Sequence, residues 1–221
     1  MFISSSLEQM IGNVSILMVY SLCIAYAGLN VYAAVCANKM IFPAPQSSYQ
    51  DDDQILKLKA SDGNSITAYF LKNDSSDRLL IYSHGNGEDI GQIRPLLGHF
   101  QQLGTSILAY DYPNYGTSTG RASESGTYAA IEATFKYATE SLGYSPKEIT
   151  LYGRSLGSGP STWLAEHKGV AGLILDGAFT STFRVMTGIK ILPWDKFDNY
   201  ARLPNIKCPI LMIHGTDDRV V

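Results

Sequence analysis

Residues 149–157 read ITLYGRSLG, and their reading decides the fold. Ile149, Thr150, Leu151 and Tyr152 form a short apolar run after the polar Ser145-Pro146-Lys147-Glu148, the pattern of a strand buried on both faces. Gly153-Arg154-Ser155-Leu156-Gly157 then turns the chain sharply into a helix, the two glycines giving room for a tight turn and for close packing of the helix. A serine on such a turn is lifted out of the sheet beside a helix N-terminus, whose unpaired N–H groups and positive potential favour a developing oxyanion. Ser155 is therefore the candidate nucleophile, the alternative being a purely structural turn.

Outward from this point the same alternation repeats. Residues 54–60 and 65–71 flank Asp62-Gly63-Asn64 and predict an antiparallel hairpin. LLIYS at 79–83, residues 106–110, residues 170–175 and PILMI at 209–213 read as further strands. Ile90, Ile93, Leu97 and Phe100 predict a helix over 89–103 closed by Gly104, and Tyr128, Ile131, Phe135, Ala138 and Leu142 predict another closed by Gly143. Strands separated by helices need crossover connections, so the fold class is α/β, a mainly parallel sheet with helices on both faces after an antiparallel entry hairpin.

In such sheets chemistry gathers beyond the carboxyl ends of strands. His84-Gly85-Asn86-Gly87 follows one of them, and its hydrolytic reading pairs the N–H of Asn86 with that of Leu156 around the oxygen of a tetrahedral intermediate. A competing reading takes Gly85, Gly87, Gly91 and Asp111 as a dinucleotide-binding unit, but Ile90 stands where the strict glycine pattern needs a third glycine. HGTDDRVV at 214–221 follows the last strand. There Asp218 rather than Asp217 takes the place of a carboxylate that orients an imidazole, and its order after Ser155 matches one triad class.

Across its 221 residues the chain carries 17 Lys+Arg against 20 Asp+Glu, a formal charge of −3, with no basic patch of the kind a nucleic-acid binder needs. Three cysteines and the lack of CxxC or HExxH patterns imply neither a disulfide framework nor a metal, and no cofactor is expected. Only 17% of residues are charged, and residues 14–37 explain the deficit: they hold no charge and exceed the roughly 20 residues a helix needs to cross a bilayer core. A cleaved signal peptide is the alternative, disfavoured because no Lys or Arg precedes the run and the run outlasts an ordinary signal core. Lys39, the first basic residue, follows the span and by the positive-inside tendency sets the body on the cytoplasmic side of a single-pass membrane protein. The expected organisation is a tail at 1–13, a transmembrane anchor at 14–37, a proline-bearing connector at 38–53 and an α/β domain from 54 to 221.

Taken together, LLIYSHGNGEDIGQ (79–92), LAYDYPNYGTSTGRASE (108–124), ITLYGRSLGSGPS (149–161), LILDGAFTS (173–181) and CPILMIHGTDDRVV (208–221) resemble the α/β-hydrolase superfamily. The likeness is to its small, lid-poor, membrane-anchored serine hydrolases, a branch that includes protein depalmitoylases. The resemblance implies Ser155 as nucleophile, Asp218 as triad acid, and the N–H groups of Asn86 and Leu156 as oxyanion hole. It implies hydrolysis of a carboxylic ester or thioester through an acyl-enzyme. Pro113-Asn114 departs from the residues relatives carry ahead of Tyr-Gly. A larger departure is the base: relatives place the triad histidine beyond the acid, after one more strand and before a final helix, whereas this sequence stops at Val221. A fragment lacking that strand, loop and helix is expected to be inactive or weak. The rival expectation is a non-catalytic, membrane-anchored binding protein on the same scaffold. His84, His99, His167 and His214 read as structural or solvent-facing, and Trp163, Trp194 and Phe197 as core residues or the lining of an acyl site.

Overall fold

The computed structural model describes residues 2–218; Met1 and residues 219–221, the end of the HGTDDRVV stretch, lie outside the described residues. Two compact units are present, residues 1–40 and 41–221.

The first is a single helix, α1 (Phe2–Ile41), which between Met10 and Met40 leaves large apolar side chains exposed on all sides, Leu17, Leu22, Ile24 and Val35 among them. A long helix with apolar side chains all round is a candidate membrane span, here Gln9–Ile41 by length and composition. It extends beyond 14–37 at both ends.

The second unit holds one seven-stranded sheet in the order β1-β2-β4-β3-β5-β6-β7. The strands are β1 (Ile55–Lys59), β2 (Ser65–Leu71), β3 (Leu79–Ser83), β4 (Ser106–Tyr110), β5 (Ile149–Arg154), β6 (Gly172–Asp176) and β7 (Ile210–Ile213). β1 and β2 are antiparallel to each other and β2 to β4; every other pairing is parallel. Helices α2 (Ile90–Gln102), α3 (Glu124–Glu140), α4 (Ser158–His167), α5 (Thr182–Thr187) and α6 (Asn199–Arg202) connect the parallel strands. All five residues of β3 and of β4 are buried, so alternate side chains serve opposite layers. Leu80, Tyr82, Ile107 and Ala109 meet Ile90, Ile93 and Leu97 of α2. α3 and α4 pack against β4 and β5 and on each other. Each fully buried Leu or Ile in these layers contributes about 1.5–3 kcal/mol of transfer free energy.

Helix ends follow local chemistry. Asp89 caps α2 by accepting the Gln92 N–H at 3.1 Å, and Ser123 caps α3 by accepting the Gly126 N–H at 3.0 Å. α3 stops at Glu140, short of Leu142, because the Leu142 N–H turns back to the Tyr137 carbonyl at 3.1 Å and Gly143 takes φ 79°. β5 runs on to Arg154 since that residue pairs with Asp176 of β6.

Strand order creates an opening. From β3 the chain crosses to β4 on one side, and from β5 to β6 on the other, so neighbouring loops after β3 and β5 diverge around a crevice. β7 pairs with β6 alone among the described residues, and Leu211 and Met212 on it are 55% and 60% exposed.

Candidate active site

The turn after β5 is over-determined by its glycines. Ser155 has φ 47°, left-handed for a residue with a Cβ, and opens a short 3-10 turn (Ser155–Gly157) that leads into α4. Such a conformation costs about 1–2 kcal/mol and persists only where packing leaves no other course. A Cβ on Gly153 would stand 2.5 Å from the Gly157 carbonyl oxygen and 2.7 Å from Ser158 Cα. One on Gly157 would strike the Ser83 carbonyl oxygen and stand 2.8 Å from that of His84. Both glycines are therefore required by close approach, and the second presses the turn onto the end of β3. Leu156 is buried and Ser155 half-buried, and the Ser155 hydroxyl has no hydrogen bond to another described residue.

Across the crevice, His84 anchors its loop from within. The imidazole is fully buried, with Nδ1 2.8 Å from the Gly85 carbonyl, Nε2 3.3 Å from Asp111 Oδ1, and the ring 4.2 Å from that of Tyr112. Tyr112 donates its hydroxyl to the His84 carbonyl at 2.6 Å. Burial pushes the Tyr112 phenol well above its usual range, so it stays a donor. Asn86 is exposed at the loop tip and accepts the Tyr115 hydroxyl on Oδ1 at 3.3 Å. The backbones of Asn86 and Leu156 thus stand on two loops that meet at Gly157.

Asp218 follows β7, with its N–H donated to the Gly215 carbonyl at 3.1 Å and Oδ2 3.6 Å from His214 Nε2. That imidazole is 41% exposed and the carboxylate 24%. His99 is exposed on α2, and His167 at the end of α4 places Nδ1 2.7 Å from the Trp163 carbonyl. Among the described residues no histidine is hydrogen-bonded to Ser155.

Residues around the site, some not singled out by any motif, complete its framework. Asp111 receives the Ile90 N–H at 2.9 Å and the Tyr49 hydroxyl beside His84, which commits it to holding α2 and leaves no role with a ribose. Buried Asp89 takes both the N–H (2.7 Å) and hydroxyl of Ser48. Residues 42–50, without regular structure, are thereby fastened to the rest of the second unit. Glu88 accepts the Gly85 N–H at 2.6 Å and faces Arg154 at 3.2 Å. Trp163 stacks on Tyr128 at 4.7 Å, Trp194 meets Phe183 at 5.0 Å, and Phe197 lies fully buried against Gly159 and Tyr128. A small open cleft of about 270 Å³ at the carboxyl ends of β6 and β7 is lined by Phe179, Thr180, Arg184, Val185 and His214.

Comparison with known proteins agrees with this architecture. A family model described as alpha/beta hydrolase fold matches residues 78–192. The human alpha/beta hydrolase domain-containing protein 17B is 34% identical over 179 residues, covering 79% of this chain and 62% of its own. The alpha/beta hydrolase domain-containing protein aho-3 of Caenorhabditis elegans is 40% identical over 145 residues, 64% of this chain and 44% of its own. The chain thus spans 44% and 62% of the length of these two relatives. Among solved structures, a Pyrococcus furiosus esterase superposes with TM-score 0.67 at 18% identity over 81% of this chain and 77% of that one. A lid-free α/β serine hydrolase from Xanthomonas campestris superposes with TM-score 0.57 at 17% identity over 78% and 75%. At such identity these two speak for the fold alone, but the family model and the relatives go further: the chain belongs to the α/β-hydrolase family.

Proposed function

We propose that the chain carries the nucleophile of a membrane-anchored serine hydrolase of carboxylic esters or thioesters. The observation that carries this reading is Ser155 at φ 47° on a turn whose flanking glycines admit no side chain, a strain that a merely structural turn would relieve with glycine. Ser155 Oγ attacks the acyl carbon while its proton passes to a base. The carbonyl oxygen takes the negative charge and is held by the N–H groups of Asn86 and Leu156. Collapse expels an alcohol or thiol that takes up the proton, and water then cleaves the serine ester to a carboxylic acid and free Ser155. Asp218 is the carboxylate that orients the base, an imidazole that the family resemblance places beyond it.

The helices between β6 and β7 are all short, α5, α6 and a 3-10 turn at Leu203–Asn205, which favours an open entrance suited to acyl groups presented at a surface. The apolar α1 supports a bilayer anchor, and with it lipidated or lipid-soluble esters, including protein thioesters of fatty acids, as substrate class. A fluorophosphonate probe tests the assignment on the protein that carries the triad imidazole: Ser155 is labelled there and Ser155→Ala is not. Equal labelling of both would sink it. The second reading, a non-catalytic scaffold, is favoured by the Ser155 hydroxyl having no hydrogen bond among the described residues, and predicts no labelling of either.

A further inference from the structure

An acid and a base outside the triad flank its loops. Glu88 closes the His84-Gly85-Asn86-Gly87 loop by reaching back three residues to the Gly85 N–H at 2.6 Å. Gly85 is shaped for this: a Cβ there would stand 2.6 Å from Glu88 Oε1. The same carboxylate meets Arg154, the residue before the nucleophile, with Nη1 3.2 Å from Oε2 and 3.4 Å from Oε1. Glu88 is 19% exposed and Arg154 46%. The negative charge of Glu88 raises the proton affinity of the guanidinium further above its usual value.

We infer that Glu88 is a positioning residue that, through Arg154, fixes the gap between the two loops supplying the oxyanion donors. The Asn86 N–H belongs to the loop after β3 and the Leu156 N–H to the turn after β5. No strand ladder reaches either of them, since the β3 to β5 pairing ends at Ser83 and Gly153. An oxyanion is stabilised only when both donors lie about 2.7–3.1 Å from it, so a few tenths of an ångström between loops matter to rate. Glu88 is bonded to one loop and ion-paired to the other, and so braces that gap.

This role rests on the acyl-transfer reading of Ser155, and the test separates the two. Glu88→Ala, Glu88→Gln and Arg154→Met are compared with the parent and with Ser155→Ala, each in the protein that carries the triad imidazole, by amide hydrogen exchange and by turnover of p-nitrophenyl acetate. Glu88→Ala is expected to speed exchange at 84–88 and at 154–157 and nowhere else. It should also lower kcat about tenfold with KM within about twofold, less than the loss of a whole donor would cause. Arg154→Met should lower kcat about threefold, the smaller effect of a partly exposed pair. Glu88→Gln, whose amide oxygen still accepts the Gly85 N–H, should fall between them. Unchanged exchange in Glu88→Ala overturns the brace, and so does faster exchange with parental kcat while Ser155→Ala abolishes turnover. Turnover that survives Ser155→Ala sinks the acyl-transfer reading instead, and the exchange pattern then decides the brace alone.

Discussion

Ser155 stands at the end of β5, which has a strand on each side and α4 against it, whereas Asp218 stands beyond β7, which pairs with β6 alone among the described residues. The serine turn is locked by backbone contacts from two glycines, one of them to the end of β3. The acidic turn closes with the backbone bond from Asp218 to Gly215, on a strand whose apolar side chains face outward. The nucleophile end is thus built by the sheet itself, while the described contacts of the acid end lie within its own turn and along β6.

The sharpest way to break this contrast is Gly157→Ala. Its methyl would enter the Ser83 and His84 carbonyl oxygens, backbone atoms that cannot swing aside. A loss of about 3 kcal/mol or more is expected in urea denaturation, the upper end of overpacking effects. An unchanged midpoint would mean that the turn does not press on β3.

Alkali should attack the same end. Tyr82, Tyr110, Tyr112 and Tyr152 crowd it, and burial, followed for Tyr82 by the charge of Glu88, pushes the Tyr82 phenol up to about 12 from 10.0. The folded state therefore holds the proton that the unfolded chain gives up above pH 10. Stability from Tyr82 is complete below pH 10 and lost as pH rises toward 12, in all about 2–3 kcal/mol. Tyr82→Phe should match the parent at neutral pH and outlast it at pH 11 in the same denaturation assay. Equal loss in both would remove Tyr82 from the account.

Tyr49→Phe probes how far the nucleophile end reaches. It leaves buried Asp111 without the phenol that approaches it from 62 residues away, at a cost of about 1–3 kcal/mol. A loss below about 0.5 kcal/mol, the range of ordinary surface changes, would show the 42–50 segment to be a passive linker. Ser155→Gly then isolates the strain: it should exceed Ser155→Ala in stability by about 1 kcal/mol, with both unlabelled by fluorophosphonate. Equal stability would mean that the left-handed turn costs nothing.

These residues also mark where sequence reading stops. Strand runs such as LLIYS and turn glycines are local signals, so β3, β4 and the entry hairpin lie where periodicity puts them. The insertion of β4 between β2 and β3 is not local, and nothing in 106–110 announces it. Pro43 and Pro45 predict an extended connector, and the backbone there has no regular element. Yet Ser48 and Tyr49 dock on carboxylates 41 and 62 residues away, a match that exists only once α2 and β4 are side by side. Glu88 and Arg154 escape notice for the same reason: each looks like an ordinary surface charge until the loops after β3 and β5 become neighbours. The GxSxG pattern is readable because its meaning is steric and local, whereas the partners of that serine depend on topology.

The smallest effect tests the other side of the contrast. Among the described residues, a Cβ on Gly215 would find only Asp218 atoms at 3.9 Å, an ordinary contact, and its backbone is not left-handed. Gly215→Ala should therefore shift stability by less than about 0.5 kcal/mol, the range of surface changes free of special mechanisms. Set beside Gly157→Ala, the same chemical change is tried at the two ends of one proposed catalytic line. A loss at Gly215 as large as at Gly157, measured by the same urea midpoints, would mean that the turn carrying Asp218 is packed as firmly as the turn carrying Ser155.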